Sequence, residues 1–391
     1  MALTSITSIL DNDFYKLTMQ YGVIKLFPNA MVRYKFINRG NHRFPDGFAQ
    51  ELKQSVNSMA GLKLGVEEKH YLSITCPYLD PAYLDFLQGY CYNPDEISIN
   101  QDGQELQVTI EGYWYRTILW EVPLMSLICE LYYKLSKQER IADDLIRERN
   151  RQKIEKYKGL GITVADFGTR RRHSYRVHQL VVAALKQYGG NTFVGTSNVH
   201  LAMQNNTKPI GTHAHEWFMF HAANYGFKMA NYMGLENWSN IYRGDLGIAL
   251  SDTYTTEVFF RQFDKKFSKL FDGVRHDSGD PLEFAKKTIE HYERLGINPT
   301  SKTIIFSDAL NYEKVIRISE YCRDKIGMSF GIGTNFTNDV GLKPLNIVIK
   351  MTETMPGDQV WIPVIKLSDE QGKHTGDEET IVHAKQQLEI L

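Results

Sequence analysis

The stretch KPIGTHAHEWF, residues 208–218, ends a short apolar run at a glycine and begins a helix-like segment on two histidines. The same order repeats after residue 161, where short apolar runs end in small or acidic residues and longer amphipathic segments follow. Strands that alternate with helices predict a parallel sheet. Eight such runs predict an irregular (β/α)8-like barrel of the α/β class, and they occupy residues 162–167, 192–195, 208–211, 247–250, 273–276, 303–306, 328–332 and 345–349. Helices are expected at residues 175–188, 215–229, 255–270, 281–295 and 312–323.

The helix start in this stretch also predicts an anion site. The first turn of a helix leaves about four backbone N–H groups without partners and carries a partial positive charge. A phosphate can therefore bind beside His213 or His215, and Thr212 is placed to cap the helix. The alternative is that Thr212 is only a cap and that both histidines only fill a loop.

The first 150 residues mix helix and strand signals, which predicts an N-terminal α+β domain. Helices are expected near residues 13–26, 48–59 and 81–87, and over the charged run 137–158. Strands are expected at residues 31–37, 96–100, 105–111 and 115–121, with a hairpin turn at Asp102 and Gly103. We therefore expect three parts: residues 1–150, a barrel over 151–354, and a C-terminal segment, 355–391, that returns to the N-terminal domain.

Composition excludes several classes of partner. The 391 residues include 45 basic and 46 acidic side chains, so no overall field attracts nucleic acid or an anionic membrane. The four cysteines form no CxxC pair, which favours a reducing compartment. Asp11 and Asp13 interrupt the start of the chain where a signal peptide needs an apolar core. We expect a soluble cytoplasmic protein with neither a nucleic-acid nor a membrane partner.

Polar side chains follow most of the apolar runs, where a barrel places its active site. Arginine forks suit phosphate or carboxylate oxygens, and aspartates can bind ribose hydroxyl groups or hold Mg²⁺. For Arg171 and Arg172, pairing with a structural carboxylate remains an equal alternative. The polar residues include Asp166, Arg170, Arg171, Arg172, Ser197, Asp252, Arg275, Asp277, Asp280 and Asp308.

The sequence GIGTN, residues 331–335, follows the seventh run, where barrels frequently bind phosphate. Two glycines let backbone N–H groups approach an anion closely, although a plain turn is an equal alternative. A glycosidase would use paired carboxylates, but it would leave the arginines and this glycine turn without a role. No P-loop sequence is present. The residues alone therefore predict an enzyme that acts on a phosphosugar or a nucleotide.

The chain resembles nicotinate phosphoribosyltransferases of the bacterial type over essentially its whole length. Seven motifs in order carry the resemblance: DNDFYKLTM (11–19), DFGTRRR (166–172), GTSN (195–198), GTHAHEWF (211–218), VRHDSGDP (274–281), FSDALN (306–311) and GIGTN (331–335). The resemblance implies the type II phosphoribosyltransferase fold. It also implies an ATP-dependent enzyme, classed as a ligase, that uses Mg²⁺. Such an enzyme joins nicotinate to 5-phosphoribosyl 1-diphosphate in NAD salvage, giving nicotinate mononucleotide and pyrophosphate.

The resemblance also implies a role for individual residues. His215, Asp277 and Arg275 would be catalytic, and His215 would be phosphorylated from ATP, whereas His213 occupies a position that the family leaves variable. Ser197 would favour nicotinate, since nicotinamide-using relatives carry an aspartate there. Nicotinate would be bound by Tyr15, Arg275 and Thr212, and the phosphoribosyl group by Arg170, Asp277, Asp308, Gly333 and Thr334.

The family forms a head-to-tail homodimer in which Tyr15 would reach the site of the partner subunit. Two alternatives to this function remain. One is a phosphoribosyltransferase for another pyridine, and the other is a catalytically silent protein that binds a metabolite.

Overall fold

A computed structural model describes residues 5–357, 360–370 and 374–390. The chain forms two compact units, of which the first comprises Met1–Gly211 with Ile332–Lys350 and the second comprises Thr212–Gly331 with Met351–Leu391. The three-part division at residues 150 and 354 stays a prediction. None of the described helices has the length and apolar character needed to cross a membrane.

Helices form in the first unit where apolar side chains recur along one face. In the charged helix that ends at Gly159, the buried residues are Ile146, Asn150, Ile154 and Tyr157, which lie on one stripe of the helix while the charged side chains face water. The helices are α1 (Phe14–Leu26), α2 (Phe48–Ser58), α3 (Val66–Thr75), α4 (Pro81–Gly89), α5 (Trp114–Thr117), α6 (Glu121–Leu135), α7 (Asp143–Gly159), α8 (Tyr175–Gly189) and α9 (Val199–Gln204).

Two sets of strands belong to the first unit. Strands β1 (Met31–Asn38), β2 (Ile97–Asp102) and β3 (Glu105–Tyr113) are antiparallel in the order β1-β3-β2, and the predicted hairpin at Gly103 is confirmed. In β3, Leu106, Val108 and Ile110 are buried on one face. Strands β4 (Thr163–Asp166), β5 (Phe193–Thr196) and β6 (Lys208–Pro209) are parallel.

The strand predicted over residues 115–121 is wrong. This stretch instead contains the end of α5 and the start of α6. Its aromatic and apolar residues have the composition of a strand, but Ile118, Leu119 and Trp120 are all buried. Packing on every side therefore determines the conformation of this segment, because strand propensity depends strongly on context.

The second unit contains the remaining parallel strands and their helices. Strands β8, β9, β10 and β11 are parallel neighbours in that order, and Ile304 of β10 lies opposite Val274 and Met328. The elements are α10 (His215–Tyr225), α11 (Ala230–Tyr242), β7 (Arg243–Leu246), β8 (Ile248–Leu250), α12 (Thr256–Gln262), α13 (Lys265–Leu270), β9 (Gly273–His276), α14 (Pro281–Arg294), β10 (Thr303–Phe306), α15 (Tyr312–Cys322) and β11 (Gly327–Ile332).

Two helical predictions in this unit need correction. The helix expected over residues 255–270 is two helices, because Asp264 caps a second start by accepting from Phe267 N at 3.1 Å. Helix α11 was missed, since Asn231 and Gly234 are weak helix formers. Burial of Leu235 and Trp238 stabilises α11 in the folded chain.

The chain ends with α16 (Thr334–Thr337), β12 (Ile347–Met355), β13 (Ile362–Pro363) and α17 (Glu378–Leu388). The eighth predicted run belongs to β12, which pairs antiparallel with β13 through Glu353 opposite Pro363. Burial alternates along β12, as expected for a strand with one buried face, so the prediction of an eighth parallel strand is wrong. The other seven runs form parallel strands, three in the first unit and four in the second, and the α/β fold class is confirmed.

Candidate active site

His215 is the first residue of α10 and lies in the second unit. The residue at the cap position is Ala214, which makes no side-chain capping bond. The prediction that Thr212 caps this helix is therefore wrong. Thr212 Oγ1 donates to the carbonyl of Ile248 at 3.0 Å and so attaches the turn to the start of β8.

The imidazole of His215 is buried among charged groups. Its Nδ1 lies 3.0 Å from Thr253 Oγ1, and its Nε2 lies 2.9 Å from Lys366 Nζ and 3.1 Å from Asp277 Oδ2. Asp252 Oδ1 is 3.7 Å from the same Nε2. Burial, with the charge of Lys366, lowers the pKa of His215 to about 4 against the opposite effect of the two carboxylates. The ring is therefore neutral at pH 7, and one nitrogen has a lone pair.

Asp252 and Asp277 are both held ionised by nearby cations. Asp252 Oδ2 lies 3.1 Å from Lys366 Nζ and accepts from Ser278 Oγ at 2.5 Å. Burial has the largest effect and raises the pKa of Asp252, but the charge of Lys366 leads several opposing effects, including that of His215, which together lower the pKa. Arg275 does the same for Asp277, whose pKa lies well below its usual range although burial opposes this. Two carboxylates thus face one ammonium and one guanidinium group.

Arg275 extends from β9, and two nitrogens of its guanidinium group are fixed by hydrogen bonds. Its Nε donates to Ser307 Oγ at 2.8 Å, and its Nη2 donates to Asp277 Oδ1 at 2.8 Å. Ser307 Oγ also donates to Asp277 Oδ1 at 2.7 Å. Asp308 follows directly after Ser307 and is half-buried. Strand β9 therefore positions Arg275, and the loops after β9 and β10 position Asp277 and Asp308.

Asp280 has a different role from the one suggested by its position. Its Oδ1 accepts from the backbone N–H groups of Leu282 and Glu283 at 2.8 and 3.0 Å. These bonds cap α14, so the carboxylate is a structural group at a helix start.

The second unit also contains a group with the composition of a cation site. Ligand atoms of His215, Asp252 and Asp277 lie within 4.8 Å of one another. However, Lys366 Nζ already lies within 3.1 Å of two of these residues and supplies a positive charge there. Mg²⁺ also prefers oxygen ligands to imidazole nitrogen. The three residues, as arranged here, do not fit a Mg²⁺ site.

Tyr15 lies in the first unit, on α1, and is largely buried. The Nζ of Lys16 is 5.4 Å from the centre of its ring. Gly211 approaches the same helix so closely that a Cβ there would lie 3.0 Å from Tyr15 N. A glycine is therefore needed at position 211, where the chain approaches α1.

Ser197 and Asp13 form a buried pair, and Asp13 directly precedes α1. Ser197 Oγ donates to Asp13 Oδ1 at 2.6 Å, and Ser197 O accepts from Phe14 N at 2.7 Å. Burial raises the pKa of Asp13, although Arg170 acts in the opposite direction. Asp13 was not among the predicted site residues, although it lies within the first family motif.

Arg170 and Arg172 have different environments. Arg170 is partly exposed, with Nη1 3.5 Å from Glu121 Oε1 and Nε 3.9 Å from Asp13 Oδ2. Arg172 is fully buried and binds both oxygens of Asp11 at 2.6 and 2.7 Å. The structural alternative is thus confirmed for Arg172, while Arg170 keeps a surface from which it can reach a ligand.

The predicted phosphate turn contains Gly333 and Thr334, which also lie in the first unit. Gly333 directly precedes α16, and a Cβ at this position would lie 3.3 Å from the carbonyl oxygen of Phe167. Thr334 begins α16 and is half-buried. The close approach explains a glycine at 333, and phosphate binding at this turn stays a prediction.

Two groups around His215 had no predicted role: Asp252, which was named only among the polar residues that follow the strands, and Lys366. Asp252 follows the fourth apolar run, so the position after a strand was a usable signal. Lys366 lies in the C-terminal part of the chain, where no local pattern marks it.

Comparisons with known proteins agree with the motifs. Residues 162–390 match the Nicotinate phosphoribosyltransferase (NAPRTase) family, and residues 10–129 match its N-terminal domain. The chain is 63% identical over 383 residues to the nicotinate phosphoribosyltransferase of Chromohalobacter salexigens, with 98% of each chain covered. It is 40% identical over 388 residues to nicotinate phosphoribosyltransferase 2 of Pseudomonas aeruginosa, covering 97% of this chain and 95% of that one.

A solved structure gives the same result for the fold. The nicotinate phosphoribosyltransferase of Porphyromonas gingivalis is 45% identical and superposes with a TM-score of 0.96, covering 98% of this chain and 100% of that one. The resemblance drawn from the motifs is confirmed, and the chain belongs to the nicotinate phosphoribosyltransferase family.

Proposed function

We propose that the chain joins nicotinate to 5-phosphoribosyl 1-diphosphate, and that ATP drives the reaction through a transient phosphohistidine at His215. The observation that carries the ATP coupling is the environment of His215. This ring is neutral at pH 7, begins a helix, and is surrounded by Asp252, Asp277 and Lys366. A neutral imidazole has the lone pair that attack on phosphorus requires.

The transfer itself exchanges one bond for another at the anomeric carbon. The pyridine nitrogen of nicotinate forms a bond to this carbon while the bond to the pyrophosphate oxygen breaks, and pyrophosphate leaves with that electron pair. Positive charge develops on the ribose and negative charge on the leaving group. The protein therefore has to align the ring and neutralise the leaving group. No covalent bond between ribose and protein is required.

Residues of the first unit are assigned to binding. We assign Tyr15 to stacking on the pyridine ring, Arg170 to phosphate oxygens, and Gly333 with Thr334 to phosphate through backbone N–H groups. Ser197 is assigned to the preference for nicotinate over nicotinamide. The partly exposed guanidinium of Arg170 supports its part of this assignment.

In the second unit, Nε and Nη2 of Arg275 donate to Ser307 and Asp277. These bonds orient the guanidinium group for a substrate carboxylate or phosphate. Thr212 is assigned to nicotinate. Its hydroxyl proton is directed to Ile248 O, so the hydroxyl group has to rotate before it can donate to the carboxylate of nicotinate. We assign Asp277 and Asp308 to the phosphoribosyl group.

Mg²⁺ remains part of the proposal. When bound to pyrophosphate it would neutralise the charge of the leaving group. Asp308 supplies carboxylate oxygens of the kind that Mg²⁺ prefers, and the phosphates of the substrate supply others. The homodimer, the ligase class and the cytoplasmic location stay predictions.

The test of the proposed function is formation of nicotinate mononucleotide with and without ATP. His215→Asn should keep slow transfer without ATP, lose ATP hydrolysis, and lose the ATP-induced fall in the KM for 5-phosphoribosyl 1-diphosphate. The ATP effect can be no larger than the difference in affinity between the two protein states. If His215→Asn keeps full ATP coupling, the assignment of His215 is wrong.

The matched control for this test is His383→Asn, because His383 is exposed on α17 of the same unit. His213 is unsuitable, since its Nε2 accepts from Leu250 N at 3.1 Å and its ring is packed against Trp238 with 4.6 Å between centroids. A change at His213 would therefore disturb the buried packing beside the site. Label from γ-labelled ATP should be acid-labile and map to His215.

A further inference from the structure

Lys366 is a buried cation of the second unit to which the proposed function gives no role. Its Nζ lies 2.9 Å from His215 Nε2 and 3.1 Å from Asp252 Oδ2, and only 8% of its side chain is exposed. The backbone fixes this position from both sides, because Leu367 N donates to Thr253 O at 2.9 Å and Lys366 N donates to Thr375 O at 2.9 Å. The ammonium group is therefore held against the imidazole.

The contact with Lys366 distinguishes the two ring nitrogens of His215. An ammonium group has three donors and no acceptor, so its 2.9 Å contact with Nε2 uses the lone pair of that nitrogen, whereas Asp277 Oδ2, 3.1 Å from the same nitrogen, would need the ring proton there. In the tautomer that satisfies the shorter contact with Lys366, the ring proton is on Nδ1 and is donated to Thr253 Oγ1 at 3.0 Å, while Asp277 keeps its bonds from Arg275 and Ser307. Nε2 is thus the nitrogen that can form a new bond, and Lys366 lies beside the position that the bonded atom would take.

We propose that Lys366 is a catalytic residue of phosphoryl transfer at His215, an inference that rests on the ATP coupling proposed above. Nε2 forms a bond to the γ-phosphorus of ATP while the bond from that phosphorus to the bridging oxygen breaks, and ADP leaves with the electron pair. The ammonium group of Lys366 moves from the lone pair to the phosphoryl oxygens and neutralises their charge. Asp252 keeps it within reach of both positions.

Hydrolysis of the phosphohistidine reverses this movement. The oxygen of a water molecule forms a bond to phosphorus, the bond between phosphorus and Nε2 breaks, and both water protons leave with the phosphate as dihydrogen phosphate. Nε2 regains its lone pair, and Lys366 returns to it. The proton stays on Nδ1 throughout, where it is donated to Thr253 Oγ1.

A second buried lysine of the same unit provides a matched control. Lys302 Nζ donates to the carbonyls of Phe271 and Lys269 at 2.6 and 3.3 Å. Only backbone oxygens receive these bonds, so Lys302 has a structural role. Lys302→Met removes a buried ammonium group without changing the surroundings of His215.

The experiment measures acid-labile label on His215 from γ-labelled ATP and Mg²⁺ in the full-length wild type, Lys366→Met, Lys366→Arg and Lys302→Met. Lys366→Met should reduce the labelling rate at saturating ATP by about tenfold to a hundredfold, the usual size of a charge-assisted contact. Lys366→Arg should restore part of that rate because it keeps the charge. Lys302→Met should label at the wild-type rate even if its melting temperature falls. If Lys366→Met does not fold, Lys366→Gln is measured in its place with the same expectation.

Three outcomes overturn the inference and can be told apart. Wild-type labelling in a folded Lys366→Met overturns the role of Lys366 alone and leaves the proposed function standing. Equal loss of labelling in Lys366→Met and Lys302→Met, in proportion to melting temperature, shows a structural role. Absence of label on the wild type overturns both the inference and the ATP coupling.

Discussion

Ser197→Asp is the substitution whose effect the structure changes most. From the sequence, an aspartate at 197 repels a nicotinate carboxylate and accepts from a nicotinamide amide. In the structure, the hydroxyl of Ser197 donates to Asp13 at 2.6 Å, and both residues are buried. The substitution therefore removes a donor and places a second carboxylate against Asp13, whatever substrate is present.

The size of this effect follows from Coulomb's law. Two unit charges about 4 Å apart repel by about 4 kcal/mol at an effective dielectric constant of about 20. Uptake of a proton by one of the carboxylates relieves part of this energy, because burial already raises the pKa of Asp13. The repulsion from Asp13 is present with and without substrate, so it lowers the stability of the fold. A repulsion of similar size between the new carboxylate and the carboxylate of bound nicotinate should lower kcat/KM for nicotinate by about tenfold to a thousandfold, which corresponds to about 1.4 to 4 kcal/mol. Nicotinamide is neutral and is not repelled by the new carboxylate. The ratio of kcat/KM for nicotinamide to kcat/KM for nicotinate should therefore rise.

The assay compares kcat/KM for nicotinate and nicotinamide in the wild type, Ser197→Asp and Ser197→Ala. Ser197→Ala removes the same hydrogen bond without adding charge. The double variant Ser197→Asp with Asp13→Ser restores a single carboxylate, and its melting temperature should rise towards that of the wild type. An unchanged substrate ratio in a folded Ser197→Asp variant would refute the assignment of Ser197 as the discriminator.

Two further predictions concern the second unit. Arg275→Ala should raise the KM for nicotinate or 5-phosphoribosyl 1-diphosphate about tenfold or more, since a charge-assisted contact contributes about 1.5 to 3 kcal/mol; a normal KM and kcat would make Arg275 purely structural. Burial, with the charge of Arg275, lowers the pKa of His213 to about 3, so between about pH 6.5 and pH 3 the unfolded chain binds more protons and stability falls as the pH is lowered. At pH 5 this one residue should remove about 2 kcal/mol relative to pH 8. The melting temperature should therefore change less between pH 8 and pH 5 in His213→Gln than in the wild type. An equal change in both proteins would contradict the lowered pKa of His213.

Short-range sequence signals were sufficient where an element is set by its own residues. The runs at 273–276 and 303–306 coincide with β9 and β10, because a short apolar run closed by polar residues suits a buried parallel strand. The turn at Gly103 follows from the left-handed conformation that the hairpin needs there. Prediction failed at residues 115–121 and 345–349. The structure of each of these segments depends on the part of the chain against which it packs or pairs, and a local pattern does not identify that part.

The same distinction applies to the candidate site. Sequence alone determined the family, the α/β class and the positions of His215, Arg275 and Asp277. Of these residues, His215 begins a helix, Arg275 lies near the end of a strand, and Asp277 directly follows that strand. Tertiary structure decided that Arg172 pairs with Asp11, that Ser197 donates to Asp13, and that Lys366 lies against His215. These contacts join residues more than 150 positions apart in the chain. Pairing over such distances depends on how the strands and helices pack, and the periodicity of a short segment carries no record of it.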